Sequence, residues 1–229
     1  CYDRPIEGPQ GLFALYTGGR YDQEKLLAGL GSVYENEQLS FKPWPSCRGT
    51  HSFVEAALLL RAQYGFNAAD IEYVEVEVSD VFSMLCEPFA QKSRPATAND
   101  AKFSVPFTTS VALSHGRLGL ADFLPDALAD PVTLDLAQRV RYSVRAPAGL
   151  QEALHGGLRV QLRDGRMLHW RIEQPLGDPK RPLNDAALEA KFIDCARYAP
   201  EPMDDAQACM AASRIAGLDG APDLSALSL

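Results

Sequence analysis

The clearest pattern along the chain is a period of two over Ile71–Ser79. Val74, Val76 and Val78 alternate there with Tyr73, Glu75 and Glu77, which predicts a half-buried strand. Residues 140–146 read as a second strand. In residues 157–173, Leu158, Val160 and Leu162 alternate with Arg159, Gln161 and Arg163, and Leu168, Trp170 and Ile172 return. This predicts a hairpin, with Asp164 and Gly165 as the two positive-φ positions of a type I′ turn.

Helical periods lie between and around these strands. Phe53, Ala57, Leu60 and Tyr64 share one face, Ser52 and Glu55 fit the S-x-x-E capping box, and Gly65 suits the left-handed residue after the last turn. A long loop covers residues 80–98. The next helix starts at Asn99 or at Ser104. Pro106 would cost the first choice an interior hydrogen bond, but lies in the first turn of the second. Gly116 ends that helix. Asp130 and Pro131 read as N-cap and first residue of a helix to about Gln138. Asn184 or Asp185 caps a helix reaching Arg197, and an Ala-rich helix covers about 203–215 before a frayed tail. Near the start, residues 21–31 form a short helix with Leu26, Leu27 and Leu30 on one side. The expected fold is α+β: a two-layer sandwich with a four-stranded, mostly antiparallel sheet and helices on one face, plus terminal helical segments.

Composition narrows the function classes. The 229 residues carry a net charge of −8 and no basic run longer than two, which argues against a nucleic-acid surface. No apolar stretch approaches the ~18 residues of a membrane span. Charges throughout residues 1–20 leave no visible signal peptide. The five cysteines (Cys1, Cys47, Cys86, Cys195, Cys209) are scattered and form no C-x-x-C, which reads as reduced thiols in a cytoplasmic protein. A chain that opens on Cys1 reads as a piece of a longer one.

Candidate chemistry concentrates in residues 41–60. Pro43 and Pro45 force an extended ribbon, which runs into the helix with His51 at the junction. A helix N-terminus favours anions, and Lys42 and Arg48 add charge of the same sign. An imidazole beside a bound carboxylate suits proton abstraction next to a carbonyl. The plainer alternative is a histidine that merely neighbours the cap. Cys47 reads as a small buried hydrophobe, and His115, His155 and His169 read as exposed. No histidine pair has metal-ligand spacing and no glycine-rich phosphate loop is present, so neither a metal nor a nucleotide cofactor is expected.

Four stretches carry a resemblance. Glu7–Tyr16 (E-G-P-Q-G-L-F-A-L-Y), Lys42–His51 (K-P-W-P-S-C-R-G-T-H), Asn99–Phe107 (N-D-A-K-F-S-V-P-F) and Gly177–Phe192 (G-D-P-K-R-P-L-N-D-A-A-L-E-A-K-F) resemble, in order and spacing, segments of the second half of the MmgE/PrpD family. The resemblance implies residues 1–40 as the remnant of a preceding helical domain, 41–183 as an α+β lid domain, and 184–229 as a C-terminal helical segment returning to the first domain. It implies a cofactor-independent lyase or isomerase of the 2-methylcitrate dehydratase type, acting on a small di- or tricarboxylate. His51 would be the acid/base group, and Lys42, Arg48, Lys102 and Ser104 the substrate contacts, with Ser104 alternatively only a helix cap. Phe107 stands where relatives carry a tyrosine. The family's helical domain, with its share of the site, is absent, so a homodimer or a complex with a helical-domain subunit is expected. The alternative is a non-catalytic carboxylate-binding or interaction domain.

Overall fold

The computed structural model describes residues 3–146 and 149–223, so Cys1 and the end of the expected tail lie outside the described residues. The chain divides into two units, residues 1–39 and 40–229.

The first unit holds two short helices, α1 (Leu12–Thr17) and α2 (Gln23–Leu27), and a 3-10 turn at Glu35–Gln38. α1 ends at Gly18 with φ +62, and Phe13 stacks on Tyr21 at 4.3 Å. The helix expected over 21–31 is shorter, because Asp22 caps it and Ala28 turns extended after one turn and a half. Leu15, Tyr16 and Leu30 are each more than two-thirds exposed.

The second unit begins with α3 (His51–Tyr64) and β1 (Ile71–Ser79). Five helices follow: α4 (Phe89–Lys92), α5 (Ala98–Lys102), α6 (Val105–His115), α7 (Pro125–Leu128) and α8 (Pro131–Gln138). Then come β2 (Val140–Arg145), the short α9 (Leu150–Ala153), β3 (Gly156–Leu162), β4 (Met167–Ile172), α10 (Asp185–Ala196) and α11 (Asp205–Ala216).

The strands form one sheet in the order β2-β1-β3-β4. β1–β3 and β3–β4 are antiparallel, whereas β1–β2 is parallel. The sheet is therefore mixed, which corrects the mostly antiparallel expectation. The cause is the crossover: residues 80–139 separate β1 from β2 and carry helices, the kind of long connection a parallel pair requires. The hairpin turn also differs. A type I′ turn needs positive φ at both central residues, but only Gly165 (φ +91) has it; Asp164 instead accepts from the Arg166 amide at 3.0 Å, and Leu162 N donates to Arg166 O at 2.8 Å across a three-residue loop.

One face of the sheet supplies the core. Ile71, Val74, Val76, Val78, Val140, Leu158, Val160, Leu162, Leu168 and Ile172 are buried together with Phe53, Val54, Ala57 and Leu60 of α3. α3 lies against β3 and β4, α6 against α3, and α8 against α6. α6 is buried along residues 105–113, which explains its lack of an amphipathic pattern. The question of where it starts resolves into two helices. Thr97 caps α5, Phe103 breaks the backbone, and Ser104 caps α6 with Pro106 in the first turn. Asp130 caps α8 as expected, accepting from Val132 N and Thr133 N.

Candidate functional site

The segment at Pro43 and Pro45 is bent rather than extended, with Ser46 N donating to Trp44 O at 2.9 Å, and the helix after it begins one residue early and without the predicted capping box. A 3-10 turn, Arg48–Thr50, leads directly into α3. Ser52 and Glu55, the expected box pair, are buried and engaged elsewhere: Ser52 Oγ donates to the Leu154 carbonyl, and Glu55 accepts from Leu176 N at 2.9 Å and from Arg181 Nη1 at 2.5 Å. A cap faces its own helix end in water; these two side chains instead satisfy chain segments that cross the helix. The turn is held by hydroxyls, with Ser46 Oγ 2.8 Å from Thr50 Oγ1 and Thr50 Oγ1 donating to Cys47 O at 2.8 Å.

His51 is fully buried. Its ring meets Trp44 edge-on, with centroids 5.3 Å apart. Nδ1 lies 3.3 Å from Arg48 Nη1 and Nε2 lies 3.4 Å from Ser46 O. A guanidinium only donates, so Nδ1 carries the lone pair, and Nε2–H points to the carbonyl. Burial, then the charge of Arg48, lower the imidazole pKa to about 3, with further pushes from Lys42 and Lys191. His51 is thus a neutral base whose lone pair faces a cation.

Of the other predicted residues, Arg48 touches the ring and Lys42 acts on it through its charge. Arg48 is half-buried; it donates to Leu176 O at 2.8 Å and Pro175 O at 3.4 Å, and its buried Nε meets no acceptor among the described residues. Lys42 is exposed, and its charge reaches His51. Lys102 ends α5, with Nζ 5.5 Å from the centre of the Phe123 ring, and its carbonyl accepts from Cys47 N at 2.8 Å. Ser104 is buried and committed: its Oγ accepts from Phe107 N at 3.0 Å and donates to Lys92 O at 2.6 Å. Ser104 therefore serves as the α6 cap. Cys47 is half-buried rather than fully enclosed. Phe107 is wholly buried, 6.4 Å from Phe123, so its lack of a hydroxyl falls at a core position.

Three of the four motif stretches converge here. Phe41 N donates to Gly177 O at 2.8 Å, Arg48 reaches Leu176, and Cys47 reaches Lys102. Residues the local pattern did not single out complete the cluster. Lys191 on α10 adds a cation acting on His51, and Glu55, Arg181 and the buried Asp178 surround the Leu176–Arg181 turn. The only sequence signal for Lys191 is its place in the K-F pair closing the Gly177–Phe192 motif. The remaining histidines stand apart. His115 lies 3.0 Å from Asp130 Oδ2, His155 is half-buried where exposure was expected, and His169 is exposed on the sheet. Among the described residues no group of three or more His, Cys, Asp or Glu side chains could hold a metal ion, and no helix is long and apolar enough to cross a membrane.

Cations at Lys42, Arg48 and Lys191 act on a neutral imidazole, an arrangement that suits a carboxylate-bearing ligand. A cis-aconitate decarboxylase from Aspergillus terreus is 26% identical over 95% of this chain, and one from Aspergillus terreus strain NIH 2624 / FGSC A1156 is 26% identical over 80%. The chain spans less than half of each relative, 46% and 40% of their lengths. The family described as the MmgE/PrpD C-terminal domain matches residues 44–213, a span containing α3, the whole sheet and the Leu176–Arg181 turn. By that match, over most of its length, the chain belongs to the MmgE/PrpD family.

Proposed function

We propose that this chain is the lid half of a cofactor-independent lyase of the MmgE/PrpD type, acting on a small di- or tricarboxylate. In this reading the sheet and α3 form a two-layer lid that faces a helical domain supplied by another part of the protein or by a separate subunit. Lys42 and Lys102 contact substrate carboxylates. Arg48 turns from His51 toward the incoming anion, which frees the Nδ1 lone pair to take a proton. The terminal segments, with their exposed Leu15, Tyr16 and Leu30, pair with the helical partner or with a second copy. The four free thiols among the described residues fit a reducing, cytoplasmic setting.

The observation that carries this reading is the engaged but neutral state of His51. A base with its pKa lowered to about 3 and an arginine on its lone pair is poised for release by an anion that competes for that arginine. The relatives' decarboxylation of cis-aconitate makes that compound the first substrate to try.

A second reading has its own support. His51 is fully buried with both nitrogens engaged, which also suits a structural histidine in a non-catalytic carboxylate-binding or interaction domain. One experiment separates the two: assay cis-aconitate loss with the chain alone and with a co-expressed helical-domain partner. Turnover that requires both chains supports the lid reading. Citrate binding without turnover under either condition supports the second.

A further inference from the structure

The face of the sheet opposite α3 is polar, and its charges are unbalanced. Across β2, β1, β3 and β4, one row of paired positions is Arg141, Glu75, Arg159 and His169. The next is Ser143, Glu77, Gly157 and Arg171. Glu77 Oε1 takes both Arg171 Nη1 at 3.1 Å and Arg145 Nε at 3.3 Å, while Glu75 stands 3.8 Å from Arg159. Arg141 has no carboxylate partner among the described residues and lies over the Tyr73 ring, 3.9 Å from its centre. Four arginines thus meet two glutamates on a chain whose net charge is −8.

Gly157 leaves an opening in this face. The opening is a concavity of about 390 Å³ whose charged border is Glu75, Glu77, Arg141, Arg159 and Arg171, with His169 beside them, within the ~300–1,000 Å³ of small-molecule sites. The glycine is not demanded by packing. A Cβ there would stand 3.8 Å from Arg171 Nη1 and 3.9 Å from Glu77 Cβ, both ordinary contacts. The neighbouring Gly156 differs, since its Cβ would press to 2.7 Å from Ser52 Cβ. A solvated ladder of ion pairs needs no vacant floor, and a strand is weakened by glycine.

We propose that this concavity binds a compact oxyanion bearing at least two negative charges, a tricarboxylate or a pyrophosphate group, between Arg159 and Arg171 with Arg141 and His169 at its rim. Arginine forks match such oxygens in pairs, and a bound anion supplies the negative charge this face lacks. The site lies across the sheet from His51 and does not rest on the function proposed above.

The test is titration calorimetry of the chain with inorganic pyrophosphate and, separately, citrate at physiological ionic strength. One or both should bind with a single site in the Lys102→Ala chain, whose His51 face is weakened, and the responding anion identifies the source. Gly157→Val and the pair Arg159→Gln and Arg171→Gln should each weaken binding by about tenfold or more, with circular dichroism unchanged. If Gly157→Val fails to fold, Gly157→Ala and the arginine variants decide. No binding of either anion to that chain, or binding untouched by the Gly157 and arginine variants, would each overturn the proposal.

Discussion

The backbone amide of Cys47 donates to the carbonyl of Lys102 at 2.8 Å, joining two motif stretches through residues more than fifty positions apart. The bond uses the main chain of Lys102, while its ammonium lies 5.5 Å from the centre of the Phe123 ring. Lys102→Ala should therefore keep the fold, with a thermal midpoint shifted by no more than about 4 °C. The same variant should weaken citrate binding at the His51 face by about tenfold. A large loss of stability with unchanged affinity would assign Lys102 a structural role.

Gly177 has φ +87, and a Cβ placed on it would sit 2.1 Å from the Phe41 carbonyl oxygen. Gly177→Ala should cost about 2–3 kcal/mol, since it combines backbone strain with a main-chain clash. Gly65 is the control: its φ is +65 but nothing lies within 4 Å, so Gly65→Ala should cost only about 1 kcal/mol. Urea unfolding of both variants measures the difference, and equal costs would remove the clash from the explanation.

Glu55 is nearly fully buried and serves both the Leu176 amide and Arg181. Glu55→Ala leaves the amide and the guanidinium without their acceptor and should destabilise by about 2–3 kcal/mol. Arg181 is partly exposed and can turn to water, so Arg181→Ala should cost less, about 1 kcal/mol. Denaturation of the two single variants and the double variant isolates the coupling.

The His51 pKa falls from 6.5 to about 3 on folding. Between these values the unfolded chain binds the proton and the folded chain does not. The contribution is complete above pH 6.5 and declines as pH falls toward 3, by at most about 1.4 kcal/mol per unit. Wild-type stability should drop more steeply from pH 6.5 to 5 than that of His51→Asn. Parallel slopes for the two proteins in urea unfolding would mean that the ring does not stay neutral.

The strands and most helix boundaries were readable because each rests on nearby residues. The alternation over Ile71–Ser79, the Asp130-Pro131 start and the Asn184 cap all concern neighbours in sequence. The mixed sheet was not readable, because the parallel partner of β1 is set by where a crossover of about sixty residues returns. The Ser52–Glu55 pattern misled for a related reason. The pair has cap spacing, yet its partners, Leu154 and Leu176, lie about a hundred residues away. At the site, His51 and the cations near it were visible in the ribbon and motifs, whereas the lone pair held by Arg48 and the charge of Lys191 depend on packing that spacing does not encode.

The bond from Phe41 N to Gly177 O has a further meaning for how the chain is assembled. It places the entrance and the exit of the whole sheet-bearing segment side by side. A segment that begins and ends at one point can be carried within a host fold without stretching it, because the host sees only a narrow stem. Residues 41–177 thus have the geometry of a cassette, tied to the chain that follows by its stem and by the Glu55–Arg181 pair.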